Sequence, residues 1–169
     1  MTRIAAVHGA VPTHRHTQRE VTDMVARTCL PPGADRRVLD RIHQNARVRT
    51  RNMVLPWSTT ASWTASERPT TYSSARPSIW APRRCAGAAH RGLRPADVDL
   101  LMFTSVTGVA APSVDARLVG RLGLRPDVKR LPVFGLGCVA GAAGVARLHD
   151  YLLGSPGHVA VLLSVELCS

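Results

Sequence analysis

The chain has 169 residues, 45% apolar and 20% charged, which is about one domain's worth of globular sequence and excludes bulk disorder. No apolar run reaches the ~18 residues of a membrane span, no signal-peptide core opens the chain, and Cys29, Cys85, Cys138 and Cys168 form no C-x-x-C pair or His/Cys cluster, so a cytoplasmic protein with no metal site, disulfide framework or membrane partner is expected. The +11 charge comes from 21 arginines and the single Lys129, without a basic run interleaved by aromatics, so no nucleic-acid partner is expected either.

Ile4-Ala5-Ala6-Val7 reads as a short buried strand. Thr17-Gln18-Arg19-Glu20 has the spacing of a capping box and opens a helix through Val21 toward Val25, which Pro31-Pro32-Gly33 ends. A second helical stretch places Val38, Leu39 and Ile42 on one face. Farther on, residues 100–105 form an apolar run of strand length. A helix over 113–122, a strand over 131–134, a helix from about Cys138 to Leu153 and a strand over 158–165 follow. Continuous apolar strands alternating with helices predict an α/β sheet covered on both faces.

Residues 57–87 do not belong with their neighbours. Eleven Ser or Thr fall between Trp57 and Trp80, all three tryptophans lie there, and neither period 2 nor period 3.6 survives. One reading is a long polar loop, although structureless loops above ~12–15 residues are uncommon within compact domains. The other is a segment translated out of frame. Tryptophan has one codon, TGG, so reading one base earlier turns each Trp position into Leu, Met or Val and creates no stop there. The shifted segment regains acids, and its end can read Ala-Glu-Ala-Val-Arg-Gly ahead of Leu93. The zone as written holds Arg68, Arg76, Arg83 and Arg84 against Glu67 alone, so much of the basic excess would disappear with it.

One constellation carries chemistry. In Phe134-Gly135-Leu136-Gly137-Cys138-Val139-Ala140-Gly141 a strand ends, two glycines permit a sharp turn, and a cysteine opens a helix of small residues. A thiol at a helix N-terminus meets unpaired N–H groups and the positive end of the dipole, which favour the thiolate needed for acyl transfer. On spacing alone, a second reading stands beside it: an ordinary buried thiol.

The stretch from Gly135 to Gly141 resembles the nucleophile segment of the type III polyketide synthases, the chalcone and stilbene synthase family. Phe103-Thr104-Ser105-Val106-Thr107-Gly108 with Ala111-Pro112-Ser113 is similar to the family's strand and active-site turn. Leu148-His149-Asp150 is similar to the later part of its nucleophile helix, and Ser164-Val165-Glu166-Leu167-Cys168-Ser169 to its next cavity-lining strand. Arg41 and the stretch from Arg47 to Met53 resemble its basic segment that meets coenzyme A. The resemblance spans about 1–56 and 85–169, in a bacterial style of sequence.

This resemblance implies the amino-terminal half of a thiolase-like αβαβα layered fold, a homodimer when complete, and coenzyme A thioesters as substrates with no further cofactor. Cys138 would accept a starter acyl group from acyl-CoA and decarboxylated malonyl-CoA units would extend it. Val106, Thr107, Glu166 and Cys168 would line the cavity, and Ala111 would lie near the partner subunit's site. Arg41 would meet the anionic arm of coenzyme A, with a solvated helix-face charge as the bland alternative. For Cys168 the bland alternative is a buried strand-end residue.

The family's reaction also uses a histidine and an asparagine from the second half of its fold, for which no motif stands here. His149 cannot substitute: it follows Cys138 by eleven residues, ~16 Å along a helix axis. The expectation is a nucleophile-bearing half without polyketide-forming activity alone. Two alternatives stay open: a related condensing enzyme that starts fatty-acid synthesis on a carrier protein, and an inactive remnant or basic binding protein.

Overall fold

The computed structural model describes residues 1–54, 92–107 and 109–166. The anomalous zone 57–87, Cys85 and Cys168 lie outside the described residues. The chain, expected as one half-fold, divides into two compact units, Val11–Arg68 with Ser169, and Met1–Ala10 with Pro69–Cys168.

In the smaller unit, strand β1 (His14–Thr17) pairs antiparallel with β2 (Thr50–Met53), and helices α1 (Gln18–Cys29) and α2 (Arg36–Asn45) lie between them in sequence. The Thr17 capping box forms as read. The Glu20 carboxylate accepts from the Thr17 N–H at 2.6 Å, and the Thr17 hydroxyl oxygen accepts from the Glu20 N–H at 3.2 Å. The donors at Thr17 hold the Glu20 carboxyl below its ordinary range. Asp35 caps α2 by accepting from the Arg37 N–H at 2.9 Å. The helices are tied by Arg36 to Asp23 and by Thr22 to the His43 Nδ1 at 2.7 Å. Val38 and Ile42 share a face of α2 but remain exposed, each at 59%.

In the larger unit, β3 (Val98–Ser105), α3 (Val114–Leu122), β4 (Lys129–Phe134), α4 (Ala140–Gly154) and β5 (Val159–Ser164) follow in chain order. The strands form a parallel sheet in the order β4-β3-β5. Side-chain alternation along β3 divides the core. Phe103 packs with Val114 and Leu118 of α3, while Leu100 and Met102 pack with Leu148 of α4. The two-sided cover read from the sequence is therefore real, one helix to each face. Right-handed crossovers require this, since the chain steps from β3 to β4 one way and back past β3 to β5 the other. Gly144 lets α4 approach β5 closely. A Cβ there would stand 2.7 Å from the Leu162 Cδ1.

The edge of this sheet where its strands begin is pinned by side chains. The ladder between β3 and β5 is irregular between Val98 and Leu100, and Asp99 supplies the acceptor that the bulge withholds. Its Oδ2 accepts from the Val159 N–H and its Oδ1 from Arg125, both at 2.8 Å. Those two donors, the backbone one foremost, hold the Asp99 carboxyl below its ordinary range. Lys129 donates to the Tyr151 hydroxyl at 3.2 Å, and that hydroxyl lies 2.7 Å from the His158 Nδ1. The tautomer of His158 sets which of the two donates in the tyrosine–histidine bond.

One expected element does not form. Residues 4–7 are not a strand, and Ile4 and Val7 are 72% and 86% exposed. Four apolar residues make a strand only against a partner, and none pairs with them among the described residues.

Candidate active site

All three parallel strands point their C-terminal ends to one edge. The chain leaves β3 toward α3 on one face and leaves β4 toward α4 on the other. Between neighbouring strands that diverge in this way a crevice opens, the place where open α/β sheets bind ligands. Register fixes what borders it. Ser105 is paired with Phe134, so Val106 and Thr107 extend one wall and the segment from Gly135 to Cys138 the other.

The Gly135–Cys138 segment is a built turn. Gly135 and Gly137 have φ of 84° and 58°, in the left-handed region. A Cβ at either would meet nothing within 4 Å, so backbone conformation rather than crowding asks for glycine. Cys138 sits in a single 3₁₀ turn, Gly137–Val139, that leads into α4. The helix expected to begin at Cys138 thus begins two residues later, because the last left-handed glycine first tightens the chain. The thiol is exposed in this chain, where the second reading expects it buried.

The remaining expected residues separate into four groups. Val106, Thr107 and Glu166 come together: the Glu166 carboxylate accepts from the Val106 N–H at 2.9 Å and from the Thr107 hydroxyl at 3.1 Å. Ala111 is exposed in the turn that follows β3, joined to Pro112 by a cis peptide bond. Arg41 belongs to the smaller unit, exposed on α2, with no ion pair among the described residues. Cys168 lies outside the described residues.

Sequence reasoning missed one charged pair behind the site. Asp115, in the first turn of α3, is fully buried, and its Oδ2 accepts from Arg130 of β4 at 2.9 Å. The pair anchors the start of α3, and so the far end of the turn that leaves Thr107. Its only sequence signal is an acid two residues after Ser113, which fits any helix first turn equally well. No described helix is long and apolar enough to cross a membrane, and no cluster of metal-ligating side chains occurs among the described residues.

Residues 87–169 match the family model of FAE1/type III polyketide synthase-like proteins. The chain is 54% identical over 169 residues to a 1,3,6,8-tetrahydroxynaphthalene synthase of Streptomyces peucetius subsp. caesius, covering 99% of this chain and 45% of that relative. It is 32% identical over 161 residues to the synthase of the same name from Streptomyces griseus, covering 95% of this chain and 43% of that one. Among solved structures, the 1,3,6,8-tetrahydroxynaphthalene synthase of Streptomyces coelicolor A3(2) superposes with a TM-score of 0.78 at 28% identity, over 94% of this chain and 46% of that one. The chain spans about half the length of the curated relatives it matches. These matches do not favour the fatty-acid-initiating alternative.

Proposed function

This chain belongs to the type III polyketide synthase family and carries the amino-terminal half of its thiolase-like layered fold; from that premise we propose that Cys138 is its acyl-accepting nucleophile. The observation that carries this reading is an exposed thiol held by a two-glycine turn at the switch point of a parallel sheet. The Cys138 thiolate attacks the carbonyl of an acyl-CoA thioester, and coenzyme A leaves as a thiol once protonated. Malonyl-CoA then loses carbon dioxide, and its enolate carbon attacks the acyl-cysteine carbonyl. A carbon–carbon bond forms as the carbon–sulfur bond to Cys138 breaks. No cofactor beyond the CoA thioesters enters this scheme. Val106, Thr107, Glu166 and Cys168 line the acyl cavity, and Arg41 meets the phosphates of coenzyme A. The complete enzyme works in the cytoplasm as a homodimer, with Ala111 near the partner's site.

The groups that polarise the thioester and hold the enolate are not among the motifs of this chain. Acyl transfer and condensation therefore separate experimentally. Incubated with acetyl-CoA, malonyl-CoA and longer acyl-CoA thioesters, the 169-residue chain should gain an acyl mass mapped to Cys138 with at least one of them. It should release no polyketide from malonyl-CoA. Cys138→Ala should abolish the adduct. Acylation that persists at another residue, or no adduct with any thioester, would overturn the assignment.

We also propose that residues 57–87 are read out of frame. Their tryptophan- and serine-rich composition supports it, as does the start of the family-model match at residue 87, where that composition ends. Resequencing the coding DNA from codon 50 onward should reveal compensating one-base changes on either side of the zone. An intact frame sinks this reading.

A further inference from the structure

We propose that Glu166 is a positioning residue that holds the exit turn of β3, acting as a hydrogen-bond acceptor and not as an acid or base. The proposal rests on the reading of Cys138 as nucleophile, because that reading is what makes the turn opposite the thiol matter. The backbone ladder between β3 and β5 closes with the Val165 N–H donating to the Thr104 carbonyl at 3.0 Å. One step farther along β3, the Val106 N–H turns to a side chain, the Glu166 Oε1, at 2.9 Å. The other oxygen, Oε2, takes the Thr107 hydroxyl at 3.1 Å. A single carboxylate thus continues the sheet by one more rung and fixes the first two residues of the turn that borders the crevice.

Both oxygens accept from the turn, so the carboxylate is oriented by the backbone and hydroxyl that it holds. The arrangement does not require charge. A carboxamide can accept the Val106 N–H with its oxygen and donate an N–H to the Thr107 hydroxyl oxygen, since a hydroxyl both donates and accepts. Alanine offers neither, and would leave the Val106 N–H to water. Glutamine and alanine therefore separate a positioning role from acid–base chemistry.

The test combines amide hydrogen exchange with acyl transfer, using the full 169-residue chain and its Glu166→Gln and Glu166→Ala variants. Exchange at Val106 should quicken about tenfold or more in Glu166→Ala and stay within about threefold of the parent in Glu166→Gln. Exchange at Leu101, in the buried middle of β3, should hold steady in both and so certify folding. The rate of Cys138 acylation from acyl-CoA should follow the same order, with Glu166→Gln keeping the parent's pH profile. A Glu166→Gln chain as slow as Glu166→Ala while its Val106 amide stays protected would overturn the proposal in favour of acid–base chemistry. A Val106 amide that exchanges as fast in the parent as in Glu166→Ala would overturn it outright. If no acylation occurs in any chain, the nucleophile reading fails, while the exchange data still decide whether Glu166 holds the turn.

Discussion

The two ends of the parallel sheet are built on opposite plans. Where its strands begin, Asp99 closes a bulge with the Val159 N–H and Arg125, and Tyr151 joins Lys129 to His158. Where its strands finish, the chain spends glycines on left-handed turns and leaves Cys138, Val106 and Leu136 open to solvent. One end is stitched by several charges and hydrogen bonds; the other keeps a single carboxylate tie, from Glu166 to the Val106 N–H and the Thr107 hydroxyl, and leaves the Cys138 thiol accessible. On the reading proposed for Cys138, stability and chemistry fall mainly to separate ends of the same three strands, joined by the fully buried middle of β3.

The division can be broken first at Asp99. Asp99→Ala should cost about 2 kcal/mol in urea unfolding, because it strands the Val159 N–H in the bulge. That loss should depend on pH in a definite direction. The Asp99 carboxyl lies below its ordinary range when folded, so its contribution is present above the unfolded carboxylate range near pH ~4. It disappears as pH falls through the lowered folded value. Parent and variant should therefore differ at pH 7 and converge in acid, and a gap that widens on acidification would contradict the assignment.

Tyr151→Phe removes one hydroxyl and with it both the Lys129 and His158 bonds, at an expected cost of about 1 kcal/mol in the same measurement. A loss as large as that of Asp99→Ala would mean that the tyrosine carries buried structure beyond its hydroxyl. At the open end, Cys138→Ala should change stability by less than about 0.5 kcal/mol, as expected for an exposed residue outside the core, while abolishing acylation. If the cysteine variant proved as destabilised as the aspartate one, the separation of roles between the two ends would not hold.

What the sequence makes legible follows the range of the interactions. The Thr17 capping box spans three residues and forms as read, down to both reciprocal hydrogen bonds. The apolar run over 100–105 and the two-glycine elbow are equally local; the run lies within β3, which starts two residues earlier, and the elbow forms as read. The α-helix read from about Cys138 opens at Ala140, because nothing in Gly-Cys-Val separates a 3₁₀ turn from the first turn of a helix. Residues 4–7 were misread for a different reason: an apolar run tells what a strand could be, not whether a neighbour is there to pair with it. The contacts that finish the site were beyond reach altogether. Glu166 meets Val106 and Asp99 meets Val159 across 60 residues each, and no local pattern announces either.

Those two 60-residue spans bear on how the protein is made. β3 is the middle strand, yet one of its edges waits for β5, which is the last described strand to leave the ribosome. At ~5–20 residues per second, the 60 residues between the partners take about 3–12 s to synthesise. For that interval a nearly continuous apolar strand, with Leu101, Met102 and Phe103 destined for complete burial, has a bare edge and at most half its cover. Nascent chains crowded on one message would meet edge to edge at just this strand. The parallel order that creates the crevice also makes the newborn chain dependent on slow, long-range closure, and on whatever shields it until β5 arrives.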